Sequence, residues 1–203
     1  MSVAPRPVDA IAIGTSAGGV DALLVLLPAL PAGLRVPVFV VLHLPREQPS
    51  LLVAIFSPRC ALPIVEAEDK MPIEPGTVYL APPDYHMLVE EKGRIALSAD
   101  RPVNSSRPSI DVLFESAADV YRERTLGIIL TGGSADGSAG LEAVHRAGGT
   151  TVVQRPEDAQ VPLMVQSALQ RVPVDFVLTL DGIAALLSRL GTGAPSTPGA
   201  PQP

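Results

Sequence analysis

A serine flanked by glycines is the residue in this sequence that is best placed to act as a nucleophile. Gly14, Ser16 and Gly18 form the pattern G-x-S-x-G, in which a sharp turn from a strand to a helix exposes the serine hydroxyl. Glycines permit the backbone angles that such a turn requires. Residues 8–14 predict the strand, and residues 17–30 predict the helix. The pattern therefore predicts a nucleophile at a helix N-terminus, where a developing oxyanion would be stabilised.

The same turn has two other interpretations. A glycine-rich turn between a strand and a helix can bind phosphate, but the glycines at 14, 18 and 19 do not form G-x-G-x-x-G. No Gly-Lys-Ser/Thr follows them either, which weakens the phosphate interpretation. The turn can also be an ordinary one in which Ser16 caps the helix. The motif alone does not decide whether Ser16 is a nucleophile or a helix cap.

A histidine and an aspartate follow two other predicted strands. His43 ends the apolar run 36–43, and Asp136 lies in the glycine-rich loop after the run 125–131. Ligands of open parallel sheets bind at the C-terminal ends of the strands, so these two side chains are expected to meet Ser16. Together they supply the nucleophile, the general base and the orienting carboxylate of a serine hydrolase.

Other histidines and aspartates compete for the same roles. His86 falls in a predicted hairpin strand, where packing is expected, whereas His145 would give the order Ser, Asp, His that is typical of α/β-hydrolases. That fold places strands and an oxyanion loop before its nucleophile, and only 15 residues precede Ser16, so His43 is preferred. The competing aspartates resemble turn, cap or first-turn helix residues; they are Asp84, Asp158 and Asp111.

Strands and helices are predicted to alternate along most of the chain. Further strands are expected at residues 64–67, 77–81, 150–154 and 175–180, and further helices at 49–56, 109–122, 141–147, 162–170 and 181–190. This alternation predicts an α/β fold with a doubly wound, mostly parallel sheet and helices on both faces. Residues 85–91 and 94–98 predict one antiparallel β-hairpin. A single domain is expected over residues 1–190, followed by a disordered tail at 191–203 that is rich in Pro, Gly, Ser and Thr.

The composition excludes several classes of partner. The formal net charge is −6 and the basic residues are not clustered, so neither nucleic acid nor an anionic membrane surface is an expected partner. The single cysteine, Cys60, cannot form an intrachain disulfide, which indicates a reducing compartment. Prolines at 28, 31 and 37 interrupt the most apolar region, and no signal peptide is evident. We therefore expect a cytoplasmic protein without membrane insertion.

Five separated segments carry a resemblance to a known family. They are residues 13–19 (IGTSAGG), 42–45 (LHLP), 79–87 (YLAPPDYHM), 107–114 (RPSIDVLF) and 129–137 (ILTGGSADG). In this order, they resemble the catalytic domain of CheB, the chemotaxis protein-glutamate methylesterase. Five motifs are far more specific than G-x-S-x-G alone. Members of this family usually carry an N-terminal receiver domain, and the first predicted strand here begins at residue 8, so a stand-alone catalytic domain is expected.

The resemblance implies hydrolysis of glutamate γ-methyl esters on the cytoplasmic helices of chemoreceptors, and glutamine deamidation in some members. It assigns Ser16 as the nucleophile, His43 as the general base and then acid, and Asp136 as the orienting carboxylate. The Ala17 N–H and the backbone around Gly133 would form the oxyanion hole, and neither a metal nor a cofactor is implied. A receptor methyltransferase or a receiver protein acting in trans is a further expected partner.

Two other functions stay open at this point. Departures from the family pattern around an intact triad also fit a catalytically weak interaction module of a chemosensory pathway. An esterase that acts on small molecules would keep the same triad and change only the substrate. Turnover of a small ester without action on methylated receptor would favour the latter.

Overall fold

Strands and helices alternate along the part of the chain that the computed structural model describes, residues 7–43 and 51–190. Its strands are β1 (Ala10–Thr15), β2 (Val38–Leu42), β3 (Ile64–Glu66), β4 (Val78–Leu80), β5 (His86–Glu90), β6 (Arg94–Ser98), β7 (Thr125–Ile129), β8 (Thr150–Gln154) and β9 (Phe176–Leu178). Its α-helices are α1 (Gly19–Leu26), α2 (Leu52–Phe56), α3 (Ile110–Tyr121), α4 (Ser138–Arg146), α5 (Leu163–Arg171) and α6 (Leu180–Ser188).

Seven of these strands form one parallel sheet in the order β3-β4-β2-β1-β7-β8-β9. The chain builds outward from β1 in both directions, first through β2 and later through β7. Every residue of these three central strands is buried, as expected for runs of Val, Ile, Leu and Ala that helices cover on both faces. The order therefore reverses at β1, and a crevice opens at the C-terminal ends of the strands on its two sides.

Helices pack on both faces of the sheet and enclose two apolar cores. One core contains buried residues of α1, α2 and α6, and the other contains those of α3, α4 and α5. The antiparallel pair β5–β6 forms a separate two-stranded sheet that packs against α3. The predicted fold class is thereby confirmed, including the hairpin.

Several predicted boundaries were wrong. The first helix ends at Leu26 and tightens into a 3₁₀ turn at Leu27–Ala29, because Pro28 has no N–H with which to continue an α-helix. The helix predicted at 141–147 begins earlier, at Ser138, behind Gly137 with a φ of 96°. The predicted tail, 191–203, and the first residues of the helix predicted at 49–56 lie outside the described residues.

Candidate active site

Ser16 lies in the turn that leads from β1 into α1. Its backbone N–H donates to the carbonyl of Thr131, 3.0 Å away, at the end of the neighbouring strand β7. Gly18 precedes α1 with a φ of 79°, and a Cβ atom at this position would overlap with the side chain of Gln160. The turn therefore needs glycine for its left-handed backbone and for the close approach of the neighbouring loop. The Ser16 side chain is half-buried.

His43 follows β2 directly and stands beside the Ser16 turn. Thr15 and Leu42 are register partners, and the His43 N–H donates to the Thr15 carbonyl at 3.2 Å. The imidazole Nε2 lies 2.9 Å from Oδ2 of Asp136, and 15% of the His43 side chain is exposed. The strand register therefore places the predicted base beside the turn that carries Ser16, and the loop after β7 brings it the predicted carboxylate.

Asp136 is fully buried at the N-terminus of α3. Its Oδ2 accepts from His43 and from the Ile110 N–H at 2.7 Å. Its Oδ1 accepts from the Ser109 hydroxyl at 2.8 Å, from Asn104 Nδ2 at 3.2 Å and from the Asp111 N–H at 3.4 Å. A carboxylate at a helix N-terminus meets both free N–H groups and the positive end of the helix dipole.

These donors decide the charge of Asp136. Burial by itself would raise the pKa of its carboxyl, but the hydrogen bonds from His43, Ile110, Ser109 and Asn104 outweigh burial and hold the pKa below its usual value. Asp136 is therefore an anion at neutral pH. An ionised carboxylate can only accept hydrogen bonds, so the proton between the two side chains belongs to Nε2 of His43. In the neutral imidazole, Nδ1 is then the acceptor.

Asp111 is a second buried carboxylate next to this one. It accepts from the Gly140 N–H at 2.7 Å and from Asn104 Nδ2 at 2.6 Å. Burial is the main cause that raises the pKa of Asp111, and the negative charge of Asp136 raises it further. Two carboxyl groups thus meet at the N-terminus of α3. The pKa of Asp136 is lowered, and the pKa of Asp111 is raised.

Thr131 joins three segments of the site. Its carbonyl accepts from the Ser16 N–H and from the Thr15 hydroxyl, and its own hydroxyl lies 2.9 Å from the Ala17 carbonyl. The same hydroxyl accepts from the Val161 N–H at 2.9 Å. Thr131 is buried, so these bonds fix the peptide that precedes Ser16 and the peptide that follows Ala17 in a dry environment.

The two predicted oxyanion donors have no acceptor among the residues of the described ranges. Ala17 directly follows the serine, and neither its N–H nor that of Gly133 hydrogen-bonds to another described group. Both residues are exposed, and only Val161 would contact a Cβ atom added at Gly133. These N–H groups are therefore free to donate to an oxyanion.

Comparisons with known proteins identify the family to which this arrangement belongs. The profile of the family described as CheB methylesterase matches residues 11–187. The chain belongs to the CheB methylesterase family. It is 44% identical over 182 residues to a putative protein-glutamate methylesterase/protein-glutamine glutaminase of Leptospira interrogans, and the match covers 90% of this chain and 94% of that protein.

Further matches agree with this family. A protein-glutamate methylesterase/protein-glutamine glutaminase of Symbiobacterium thermophilum is 37% identical, over 88% of this chain and 49% of its own length. The crystal structure of the CheB methylesterase catalytic domain of Thermotoga maritima superposes with a TM-score of 0.85 at 31% identity, and the match covers 91% of this chain and 100% of that one. The family and the methylesterase class predicted from the sequence are thus confirmed.

Two kinds of feature are absent from the described residues. Within residues 7–43 and 51–190, none of the helices has the length and apolar character needed to cross a membrane. The same residues contain no group of three or more His, Cys, Asp or Glu side chains that could hold a metal ion.

The competing histidines and aspartates do not replace His43 or Asp136 in this arrangement. His86 is buried, with Nδ1 accepting from the Ser109 N–H at 3.1 Å and Nε2 lying 3.2 Å from the Arg101 carbonyl. His145 lies in the last turn of α4. Asp84 pairs with Arg107 at 2.7 Å, and Asp158 accepts from Gln154 and from the Leu180 N–H. Of the five competitors, Asp111 is the one that hydrogen-bonds directly to Asp136, through its backbone N–H, and none of the five bonds to His43 among the described residues.

Sequence reasoning assigned no role to the donors around Asp136. Ser109 caps α3 by accepting from the Val112 N–H, and it donates its own proton to Asp136. A serine before an apolar periodic run is a readable sign of a helix N-cap, so its position was accessible. Asn104 carried no such sign, because its amide reaches a carboxylate that lies 32 residues further along the chain.

Proposed function

We propose that this chain hydrolyses glutamate γ-methyl esters of chemoreceptors, with Ser16 as nucleophile, His43 as general base and acid, and Asp136 as the orienting carboxylate. The observation that carries the proposal is the buried, fully hydrogen-bonded Asp136, which lies 2.9 Å from His43 at the strand end beside Ser16. A buried carboxylate that fixes a histidine next to a turn serine fits the roles of a catalytic triad.

The first half of the reaction would acylate the serine. Ser16 Oγ attacks the ester carbonyl while Nδ1 of His43 accepts the hydroxyl proton, and Asp136 stabilises the imidazolium that forms. The N–H groups of Ala17 and Gly133 would bind the tetrahedral oxyanion. Collapse of this intermediate breaks the bond to the methoxy oxygen, which takes the proton from His43 and leaves as methanol.

The second half would release the glutamate. Water loses a proton to His43 and attacks the acyl group on Ser16, and the second tetrahedral intermediate expels Ser16 Oγ, which regains its proton from the imidazolium. A glutamine side chain presents the same carbonyl with an amine leaving group, so the same residues would release ammonia. The names of the similar proteins, which include protein-glutamine glutaminase, support this second reaction.

The Ser16 hydroxyl makes no hydrogen bond to a residue that the structure describes. Catalytic hydrogen bonds are often long without substrate and tighten in the complex, so the side-chain placement is compatible with the proposed roles. A rotation of the half-buried Ser16 side chain toward Nδ1 would complete a series of hydrogen bonds from Asp136 through His43 to Ser16.

The proposed setting is a chemotaxis-like pathway in the cytoplasm. The substrate would be the methylated cytoplasmic helices of chemoreceptors, and a receptor methyltransferase or a receiver protein acting in trans would be a further partner. The acidic net charge of −6 argues against a nucleic-acid partner.

The test is methanol release from a methylated chemoreceptor fragment. We expect Ser16→Ala and His43→Ala to lose activity by about 10⁴-fold or more, as in other serine hydrolases. His145→Ala is the matched control, since this histidine lies in the last turn of α4, and it should keep the wild-type rate.

Other results would favour the alternative functions. Turnover of small esters by the wild-type chain, with no release from any methylated receptor, would favour a small-molecule esterase. An inactive wild-type chain that still binds the receptor fragment would favour an interaction module.

A further inference from the structure

The side chain of Asn104 lies between the two buried carboxylates of the site. Its Nδ2 atom is 2.6 Å from Oδ2 of Asp111 and 3.2 Å from Oδ1 of Asp136, and an amide nitrogen carries one proton for each acceptor. We propose that Asn104 is a positioning residue that holds the Asp136 carboxylate in the orientation in which it accepts from His43. This inference rests on the proposed function only in its kinetic part.

The orientation of Asp136 depends on the Ile110 N–H, which donates to Oδ2, and on what holds the other oxygen, Oδ1. Oδ2 is the oxygen that accepts from His43, so a rotation of the carboxylate would break that bond. Oδ1 resists rotation through Ser109, Asn104 and the long contact of 3.4 Å from the Asp111 N–H. Asn104 thus provides one of the two side-chain donors to Oδ1 among the described residues. Its loss would leave this oxygen held mainly from one side.

Asn104 also separates two acids that would otherwise face each other. Asp136 is fully buried and Asp111 is 4% exposed, so repulsion between the carboxylates is weakly screened. A neutral amide that donates to both supplies attraction toward each carboxylate without adding a positive charge. Burial and the charge of Asp136 raise the pKa of Asp111, and the hydrogen bond from Asn104 acts against them by stabilising the ionised carboxylate.

The backbone offers a competing explanation for the presence of an asparagine. Asn104 and Ser105 have φ values of 48° and 63°, and they form the two-residue turn between Val103 and Ser106, whose backbones exchange two hydrogen bonds. Asparagine is favoured in such a turn for its backbone alone. A test must therefore remove the amide and keep the turn.

Two substitutions at Asn104 meet this condition, since glycine and aspartate both accept the left-handed backbone. Asn104→Gly removes the amide, and Asn104→Asp replaces the donor with a third carboxylate. Ser105→Gly is the matched control in the same turn, where the residue is exposed. We expect kcat for methanol release to fall about 10-fold in Asn104→Gly with KM within twofold, as for one lost hydrogen bond to a charged group.

We expect a larger fall of kcat in Asn104→Asp and no change in Ser105→Gly. The second readout is the NMR signal of the proton between His43 Nε2 and Asp136 Oδ2, measured on the free protein. This signal should move or broaden in both Asn104 variants and stay unchanged in the control. If Asn104→Gly does not fold, as judged by thermal unfolding, Asn104→Asp serves in its place.

The inference is overturned if Asn104→Gly keeps the wild-type kcat and the wild-type His43 signal, because the residue would then serve only the turn. A loss of kcat with an unchanged His43 signal would also overturn it, since the effect would not act through Asp136. Failure of the proposed function gives a different result. The wild-type chain would then release no methanol, while the His43 signal would still report on Asn104.

Discussion

At the scale of single residues, the site depends on side chains that take no part in the chemistry. Thr131 is the clearest of these, because its hydroxyl and carbonyl contact Thr15, Ser16, Ala17 and Val161. Its carbonyl holds the serine N–H, and its hydroxyl holds the peptide that follows Ala17. The direction of the Ala17 N–H, a proposed oxyanion donor, is therefore set in part by Thr131.

Replacing the Thr131 hydroxyl with a methyl group tests this dependence. Thr131→Val removes the bonds to the Ala17 carbonyl and from the Val161 N–H, and it leaves both groups unsatisfied. We expect kcat for methanol release to fall by about 10- to 100-fold, which corresponds to the loss of one or two buried hydrogen bonds. Thr131→Ser keeps the hydroxyl and should stay within a few-fold of the wild type. Equal kcat values for the two variants would contradict this role.

At the scale of elements, the site is built where β1 and the N-terminus of α3 come into contact. Gly14 of β1 lies against Ile110, and a Cβ atom on this glycine would overlap with the Ile110 side chain. The Ile110 N–H is in turn the 2.7 Å donor to Asp136. The distance between the strand that carries Ser16 and the helix that holds Asp136 is therefore set by the absence of one side chain.

Adding that side chain should disturb both stability and activity. Gly14→Ala forces Ile110 and the start of α3 away from β1, and we expect the free energy of unfolding to fall by about 1–3 kcal/mol, as in other overpacked cores. The matched control is Gly33→Ala, where no atom lies within 4 Å of the added Cβ.

The control should lose no stability in chemical denaturation. Methanol release should also fall in Gly14→Ala, because the donor from Ile110 moves away from Asp136. An unchanged rate in a folded Gly14→Ala protein would show that this contact does not position the carboxylate.

At the scale of the whole molecule, the two faces of the sheet contribute differently to the site. The core on one face contains Phe114 of α3, and the core on the other contains Leu187 of α6; both side chains are fully buried. Only the first face also holds Asp136, through the N-terminus of α3. Damage to either core lowers stability, but damage at Phe114 acts on the helix whose N-terminus donates to Asp136, whereas Leu187 lies on α6, which packs against α1 on the other face.

Truncation of one residue in each core separates the two effects. Phe114→Ala should lower the free energy of unfolding by about 3–5 kcal/mol and Leu187→Ala by about 2–5 kcal/mol. Measured at a temperature at which both variants are folded, kcat should drop about 10-fold in Phe114→Ala, as for a weakened hydrogen bond to Asp136. It should stay near the wild-type value in Leu187→Ala. Equal losses of kcat in the two variants would show that the rate follows the overall stability of the protein and does not depend specifically on packing at α3.

Local sequence patterns were sufficient to predict the fold class, and they also led to the three residues that we propose as a triad. The buried strands are recognisable because an aliphatic run that is covered on both faces has no polar positions, and the rule that sites form at the C-terminal ends of parallel strands then points to Ser16, His43 and Asp136. The boundary errors have local causes of their own, such as Pro28 within the first helix.

The surroundings of the carboxylate were decided by the packing of distant segments. Asp136 meets Asn104, Ser109 and Ile110 only because α3 packs its N-terminus over the end of β7. Periodicity records which face of an element is buried, but it does not record which donor from another element will face a given acceptor. The charge and the orientation of Asp136 therefore follow from long-range contacts, which the linear pattern of residue types does not specify.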